Sequence, residues 1–452
     1  MPLPALDDTI TAIATAPGSA AVGIVRLSGS QSYAIADRFF RLHGAGSLLS
    51  LPAGRVRYGR IYDGEELIDE ALLLTFRAPH SYTAEDVLEL QCHGGAAVLR
   101  KTLELCQHYG ARLAQPGEFT LRAYLNGRMD LLQAESVLAL VEAHSDTARR
   151  NAALGLSRAL SDALQSIQDA ITRVYGNLQA VVDYPEEGVP EADFIVPLEQ
   201  SIAHIDKLLT QAKAGNVLQH GARLALIGKP NAGKSSLLNA LLGYQRSLVS
   251  DIPGTTRDYL EAPLSLAGIP LTAIDTAGIR ASDDLIEASG VERAKTIAAN
   301  ADLSLLLIDQ SSPLSAQDFA LLGEAVPARS IVVCSKADRP PAWSESLLEL
   351  PSHVACLAVS AHSGQGLEQL KDSVRQHLLG ELGNSELWLS SDRQVDTLRR
   401  TRDLLERALH APDDLAALDL ADALQQLAAL TGRGDIAEET LEHIFANFCV
   451  GK

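Results

Sequence analysis

Gly228-Lys-Pro-Asn-Ala-Gly233-Lys234-Ser235 decides the reading of this chain. It follows an apolar run, Leu224-Ala-Leu-Ile227, and precedes Leu237-Leu-Asn-Ala-Leu-Leu242. That order is strand, glycine loop, helix, the context a phosphate-binding loop requires. The glycines let backbone N–H groups close around an anion, and Lys234 supplies a point charge for β- and γ-phosphates. The Ser235 hydroxyl suits a Mg²⁺ ion. The helix that follows directs the positive end of its dipole at the same phosphates. A chance glycine turn would not carry both glycines, the lysine and the serine in this context. The expected nucleotide contacts here are Asn231, Ala232, Gly233, Lys234, Ser235 and Ser236.

Downstream segments specify the base. Leu271-Thr-Ala-Ile274 reads as a strand and leads into Asp275, Thr276, Ala277 and Gly278. An Asp at a strand end is where a second Mg²⁺ contact belongs, and the Gly278 N–H can approach a γ-phosphate. Ser330-Ile-Val-Val-Cys334 leads into Ser335, Lys336, Ala337 and Asp338. The Asp338 carboxylate can accept from guanine N1–H and the exocyclic amine; adenine would leave it unpaired. Ala355-Cys-Leu-Ala-Val359 leads into Ser360, Ala361 and His362, placed to touch the guanine carbonyl through backbone N–H. Each tetrapeptide alone is weak; together, in this order, they predict a GTPase rather than an ATPase. Ser335 stands where GTPases usually carry Asn, so a lower affinity is expected with guanine choice kept by Asp338. His362 replaces a more usual Lys without altering a backbone role.

Between these motifs lie Ser250, Asp251, Ile252, Pro253, Gly254, Thr255 and Thr256, then Arg257 and Asp258. This run resembles the first switch of the TrmE–Era–Der group of GTPases. The resemblance makes Thr256 the residue that completes the Mg²⁺ shell and senses the γ-phosphate. After Gly278 comes Ile279, which cannot orient water as the Gln of Ras-like enzymes does. Hydrolysis then needs another stabiliser of transition-state charge and another group to position water. Asn231 is a candidate for holding a monovalent cation beside the phosphates. Glu287 is open to two readings, a water-orienting group or a solvated residue at a helix start.

The chain has 452 residues, enough for two to four domains. It is 46% hydrophobic but only 4% aromatic, so its cores should be aliphatic and helix-rich. No apolar run reaches membrane-spanning length, and the start, Met1-Pro-Leu-Pro-Ala-Leu, lacks signal-peptide character. Cys92, Cys106, Cys334, Cys356 and Cys449 form no C-x-x-C pair, so spacing indicates neither a zinc site nor a disulfide framework. A cytoplasmic location is expected. The formal net charge of −19 disfavours diffuse nucleic-acid binding, so any RNA partner must use a local basic patch.

Periodicity divides the chain. Residues 1–118 read as α+β, with strands at Val22–Leu27, Arg55–Tyr62 and Val87–Gln91 and a helix over Gly94–Tyr109. Residues 119–218 read as helical, over Leu131–His144, Thr147–Val182 and Leu198–Ala214. The P-loop, Ras-like GTPase domain occupies 219–380. Helices resume over 381–452, at Asp392–His410, Leu415–Leu430 and Glu438–Phe448. The expected fold is therefore multidomain, α/β and α, with a GTPase domain inserted into a helical one. The last residues, Cys449-Val450-Gly451-Lys452, are open to three readings: a frayed tail, a poorly fitting prenylation box, or a thiol or anchor in an active site.

Three segments carry a wider resemblance: Tyr82-Thr-Ala-Glu-Asp-Val-Leu-Glu-Leu-Gln-Cys-His-Gly-Gly95, Pro116-Gly-Glu-Phe-Thr-Leu-Arg-Ala-Tyr-Leu-Asn-Gly-Arg128 with Asp130-Leu-Leu-Gln-Ala-Glu135, and Phe448-Cys-Val-Gly-Lys452. Over nearly its whole length the chain resembles the MnmE/TrmE family of tRNA modification GTPases. That resemblance implies a homodimer acting with an FAD-containing partner protein, in a heterotetramer or larger complex, without a membrane. It implies an aminomethyl or carboxymethylaminomethyl group built at C5 of the wobble uridine, position 34, of certain tRNAs. The carbon would come from a 5-formyl- or 5,10-methylene-type tetrahydrofolate derivative bound by the dimerising N-terminal domain. Arg26, Glu89, Arg128 and Lys452 are the residues so implied for folate; Arg128 stands where Lys is more frequent, keeping charge but altering geometry. K⁺ would be held by Asn231, Ser250, Ile252 and Thr255, and Mg²⁺ by Ser235 and Thr256. Glu287 matches the residue that orients the attacking water. Cys449 matches a tail cysteine implicated in the modification step, as nucleophile or as a positioning group. A regulatory or ribosome-assembly GTPase that modifies nothing is the alternative.

Overall fold

The computed structural model describes residues 7–44, 46–143, 145–183, 194–242, 261–275, 300–325, 329–351, 354–380, 389–434 and 436–451. They fall into two compact units, Met1–Leu138 with Leu156–Gln168 and Ala421–Lys452, and Ala139–Gly155 with Asp169–Leu420.

The first unit is built on a seven-stranded sheet. Its strands are β1 (Ile10–Ile13), β2 (Ala20–Ser28), β3 (Phe40–Leu42), β4 (Arg55–Asp63), β5 (Glu66–Phe76), β6 (Val87–Gly94) and β7 (Arg112–Leu113), in the order β3-β4-β5-β6-β2-β1-β7. Every pairing is antiparallel except β1 with β7. Strand alternation sorts the two faces. Val25 and Leu27 of β2 and Leu88 and Leu90 of β6 enter the core, beside helices α1 (Ser32–Asp37) and α2 (Ala96–His108). Helix α2 turns Leu99, Thr102, Leu105 and Cys106 inward, the spacing of a one-sided helix. The same alternation leaves Arg26 and Glu89, directly opposed in register, on the other face.

Helix α3 (Glu118–Leu125), α4 (Leu131–Val141) and the C-terminal helix of the chain (Glu438–Ala446) contribute to one apolar cluster in this unit, through Leu121, Ala134, Leu441, Phe445 and Phe448. Sequence separation of over 300 positions is thereby closed. An ion network anchors α3. The Arg122 guanidinium, fully buried, meets Asp8 at 2.5 Å and Glu118 at 2.9 Å, and Arg112 meets Glu118 at 2.6 Å. Burial alone would raise the Glu118 carboxyl. Hydrogen bonds from Arg112, the Gln115 N–H and Arg122 outweigh it and hold the group below the usual carboxylate range.

The long helix expected over Thr147–Val182 is two helices, α5 (Asp146–Leu156) and α6 (Ala159–Asp183). The break falls at Arg158, whose φ of 71° leaves the helical region. Helix α7 (Ile195–His220) extends further than the pattern suggested.

The second unit carries a six-stranded sheet of β8 (Ala222–Gly228), β9 (Glu261–Leu266), β10 (Ile269–Asp275), β11 (Leu303–Asp309), β12 (Ser330–Ser335) and β13 (Ala355–Val359). The order is β13-β12-β11-β8-β10-β9, parallel except for β9 at the edge. Strands β8, β11 and β12 are near-continuous apolar runs because helices cover both faces of a parallel sheet. Those helices include α8 (Lys234–Leu242), α9 (Ala316–Ala325) and α10 (Leu367–Leu379). Outside the sheet, α7 packs along α11 (Asp392–His410), pinned by an Arg402–Asp206 ion pair at 2.6 Å. Helices α12 (Asp413–Thr431) and α13 (Glu438–Ala446) complete the described helices. The chain is thus an α+β N-terminal part, followed by helices into which a P-loop α/β domain is inserted.

Candidate functional site

The glycine loop leaves the C-terminal end of β8, where parallel sheets bind ligands. Gly228 closes β8 so tightly against β11 that a Cβ there would lie 2.6 Å from the Leu307 carbonyl oxygen. Asn231 takes a positive φ of 64°, which its short amide side chain tolerates. Lys234 folds back over the loop and donates to the Gly228 and Lys229 carbonyl oxygens at 2.7 and 2.8 Å. Ser235 and Ser236 stand exposed on the first turn of α8. This arrangement fits a polyphosphate: N–H groups, an ammonium and a helix N-terminus converge, with a hydroxyl free for a divalent ion.

Beside the loop is a cavity of 390 Å³ lined by Gly233, Ser335, Lys336, Asp338, Ala361 and His362 among others. Gly233 comes from the glycine loop, and two adjacent strands, β12 and β13, deliver the others at their C-terminal ends. Asp338 is fixed by the Ser360 hydroxyl, which donates to Oδ1 at 2.6 Å. That hydrogen bond, first among its causes, holds the Asp338 carboxyl below its ordinary value, so it is an acceptor at neutral pH. The Ser360 oxygen in turn accepts from the N–H groups of His362 and Ser363. The His362 N–H is therefore engaged within its own loop. The Ala361 N–H has no partner among the described residues. Lys336 bonds Asp309 at 2.5 Å, and its stem forms part of the cavity wall.

Ser335 is buried and bridges two segments. Its hydroxyl donates to the Ala232 carbonyl at 2.6 Å, which ties the end of β12 to the glycine loop.

Several expected residues lie outside the described ones: Ser250, Asp251, Ile252, Pro253, Gly254, Thr255, Thr256, Thr276, Ala277, Gly278, Glu287 and Lys452. Asp275 ends β10 in register with Leu226, which brings its backbone beside the strand that feeds the loop.

In the first unit, Arg26, Glu89 and Arg128 line one cavity of 660 Å³ together with Phe76, His80 and Tyr82. Arg26 Nε and Nη2 both reach Glu89 Oε1, at 2.9 and 2.8 Å. Glu89 Oε2 thus keeps its lone pairs for another donor, with no partner among the described residues. The Arg26 and Arg128 guanidinium carbons sit 5.4 and 5.1 Å from the centre of the Tyr82 ring. A carboxylate oxygen, two cations and an aromatic face suit a flat heterocycle bearing N–H donors and an anionic tail. Tyr82 and His80 were not singled out by sequence; Tyr82 lies in a segment noted above, but nothing local marks its ring as facing Arg26.

The tail reaches the same place. Arg26 Nη1 donates to the Gly451 carbonyl at 3.2 Å. Gly451 has a φ of 101°, and a Cβ there would lie 2.6 Å from the Ile13 carbonyl oxygen, so only glycine fits against β1. A frayed tail is ruled out up to this residue. Cys449 is exposed, two positions before it.

Two family profiles cover most of the chain: "GTP-binding protein TrmE N-terminus" matches residues 9–128, and "MnmE helical domain" matches 131–449. A protein of Thermus thermophilus named "tRNA modification GTPase MnmE" is 50% identical over 450 residues, covering 99% of this chain and 100% of its own length. A protein of that name from Chloroflexus aurantiacus is 44% identical, again covering 99% of this chain and 100% of its own length. One from Clostridioides difficile is 38% identical with the same coverage.

Proposed function

This chain belongs to the MnmE family of tRNA modification GTPases, and from that premise we propose that it hydrolyses GTP to drive a folate-dependent modification at C5 of the wobble uridine of certain tRNAs. Residues 219–380 form the GTPase domain, interrupting a helical domain of 119–218 and 381–452. Residues 1–118 take the one-carbon donor, a 5-formyl- or 5,10-methylene-type tetrahydrofolate. The chain works in the cytoplasm as a homodimer with an FAD-containing partner protein. The observation that carries this reading is that one chain holds two built cavities of different chemistry. One, beside a P-loop, presents a carboxylate for guanine; the other pairs Arg26 with Glu89 beneath the tail.

In the GTPase half, Asp338 and the Ala361 N–H select the base, and Lys234 neutralises β- and γ-phosphate oxygens. Ser235 and Thr256 hold Mg²⁺, whose role is to neutralise charge that develops on the phosphates. Asn231, Ser250, Ile252 and Thr255 hold K⁺ in the role an arginine finger plays elsewhere, and Glu287 orients the attacking water. In the N-terminal half, Glu89 Oε2 accepts from pterin N–H groups, Tyr82 offers a stacking face, and Arg128 and Lys452 meet the carboxylates of the glutamate tail. Cys449 stands near this site as nucleophile or positioning group.

Turnover of GTP by the purified protein in KCl against NaCl, with ATP as control, tests the nucleotide half. GTP-specific turnover that falls strongly in NaCl supports the cation set. Equal rates in both salts would remove K⁺ from the mechanism. Binding of 5-formyltetrahydrofolate, followed by quenching of protein fluorescence, tests the other half separately. No saturable binding there would remove the folate reading and leave a regulatory GTPase.

A further inference from the structure

Cys334 and Cys356 are 22 positions apart in sequence and belong to neighbouring parallel strands, β12 and β13. Cys334 is in register with Ala358, two residues past Cys356, so both thiols emerge on the same face. Their sulfurs lie 3.4 Å apart. The Glu345 carboxylate, on a short turn of helix over Glu345–Leu348, comes within 4.8 Å of both. Among the described residues this is the one cluster of three groups able to hold a metal ion. Cys334 is fully buried, Cys356 half-buried and Glu345 exposed, so the cluster runs from the apolar interior to solvent and has an entry path. Val332 and Leu348 are buried in the same apolar cluster as Cys334, with Trp343 packed against it, an environment that strengthens thiolate–metal bonds by excluding water.

We propose that Cys334, Cys356 and Glu345 form a binding site for one soft divalent cation of the zinc class, with water as fourth ligand. Two thiolates and a carboxylate form a ligand set that selects such an ion over Mg²⁺ or Ca²⁺. The sulfur separation lies nearer that of a cation site than that of a disulfide. Metal–sulfur bonds of about 2.3 Å in a tetrahedral site put two sulfurs roughly 3.8 Å apart. The observed pair needs to open by only about 0.4 Å for a cation, whereas a disulfide requires it to close to about 2.0 Å. Binding releases the thiol protons to solvent, so affinity rises with pH. The site shares strands β12 and β13 with the cavity that holds Asp338 but lies on the opposite face of the sheet: Val333 and Ser335 line that cavity, whereas Cys334 between them and Cys356 join the other apolar cluster. Spacing along the chain gives no hint of it, since the ligands meet only across a strand pair.

Full-length protein, reduced with a phosphine and stripped with a chelator, is titrated with Co²⁺ and followed by absorption. The expected result is one equivalent giving a thiolate-to-cobalt charge-transfer band, displaced by Zn²⁺. The band should be lost in Cys356→Ser and keep its strength in Cys449→Ser. Retained GDP binding by Cys356→Ser shows that the domain has folded. Protection gives a second readout on the unaltered chain: one equivalent of Zn²⁺ should block alkylation of Cys356 by iodoacetamide, read by peptide mass. Absence of the band, its survival in Cys356→Ser, or unprotected Cys356 at stoichiometric Zn²⁺ would overturn the proposal.

Discussion

The Asp338 cavity and the Arg26 cavity differ in how their residues meet. The first takes its polar groups from two short runs, Ser335–Asp338 and Ser360–His362, at the ends of adjacent parallel strands. Each run is contiguous, and the two bring one carboxylate, Asp338, together with backbone N–H groups of its neighbouring loop. The second gathers Arg26 from β2, Glu89 from β6, Tyr82 from a loop, Arg128 from the turn after α3, and a carbonyl 425 positions from Arg26. No local pattern announces it. The lesson is physical: a loop that binds with its own N–H groups writes its chemistry into consecutive residues, whereas a site made by strand pairing and a docked tail does not.

The comparison breaks most readily at Asp338. On the proposed function, Asp338→Asn replaces the acceptor meant for two guanine donors. At about 1.5–3 kcal/mol for each charged hydrogen bond, GTP affinity should fall by about 10²- to 10⁴-fold. Titration with a fluorescent GTP analogue measures this; an unchanged affinity would mean that the cavity does not hold the base.

The scaffold of the second cavity should respond to Glu118→Gln. This leaves Arg122, which is fully buried, and Arg112 short of a charge partner, and a loss of about 3 kcal/mol is expected in chemical denaturation. Glu118 has a depressed pKa in the folded chain. Its contribution is therefore fully present above the unfolded value, about 4.3, and fades as pH falls through the lower folded one. The variant should lose that acid dependence; the same slope in both proteins would take Glu118 out of the network's energetics.

Arg26→Ala sharpens the contrast between the sites. Removing the guanidinium frees Glu89 and releases the Gly451 carbonyl, and affinity for 5-formyltetrahydrofolate should drop by about 10- to 100-fold, one charged hydrogen bond's worth. Fluorescence quenching measures it. The smallest effect is expected for Ser335→Ala. It leaves the Ala232 carbonyl without its donor, and GTP affinity should fall by about 5- to 10-fold, near 1 kcal/mol. A larger fall would show that Ser335 does more than hold the loop.

These residues also show what was legible in the sequence. Helix α11 matches its apolar period to the residue; β4 ends one residue later than its pattern suggests, β2 and α2 differ by one or two at each end, and β6 runs three residues further, to Gly94. The α5–α6 break was hidden, since Arg158 has no residue-type signal for a positive φ. The P-loop and the Asp338 cavity were readable from motifs. Arg26, Glu89 and Arg128 were readable only through family resemblance, and Tyr82 not at all. The motif residues Glu118 and Arg122 are buried scaffold rather than ligand contacts. The Gly of the tail is explained by its contact with β1, which no tetrapeptide can reveal.

The most direct test joins the two sites in one readout. Wobble-position nucleosides are analysed by mass in tRNA from cells whose own copy of this gene is replaced by the wild-type, Arg26→Ala or Asp338→Asn form. Both variants are expected to lose the C5 modification that the wild-type gene supports. Modification that persists at the wild-type level with either variant would contradict the claim that this chain uses both cavities to modify tRNA.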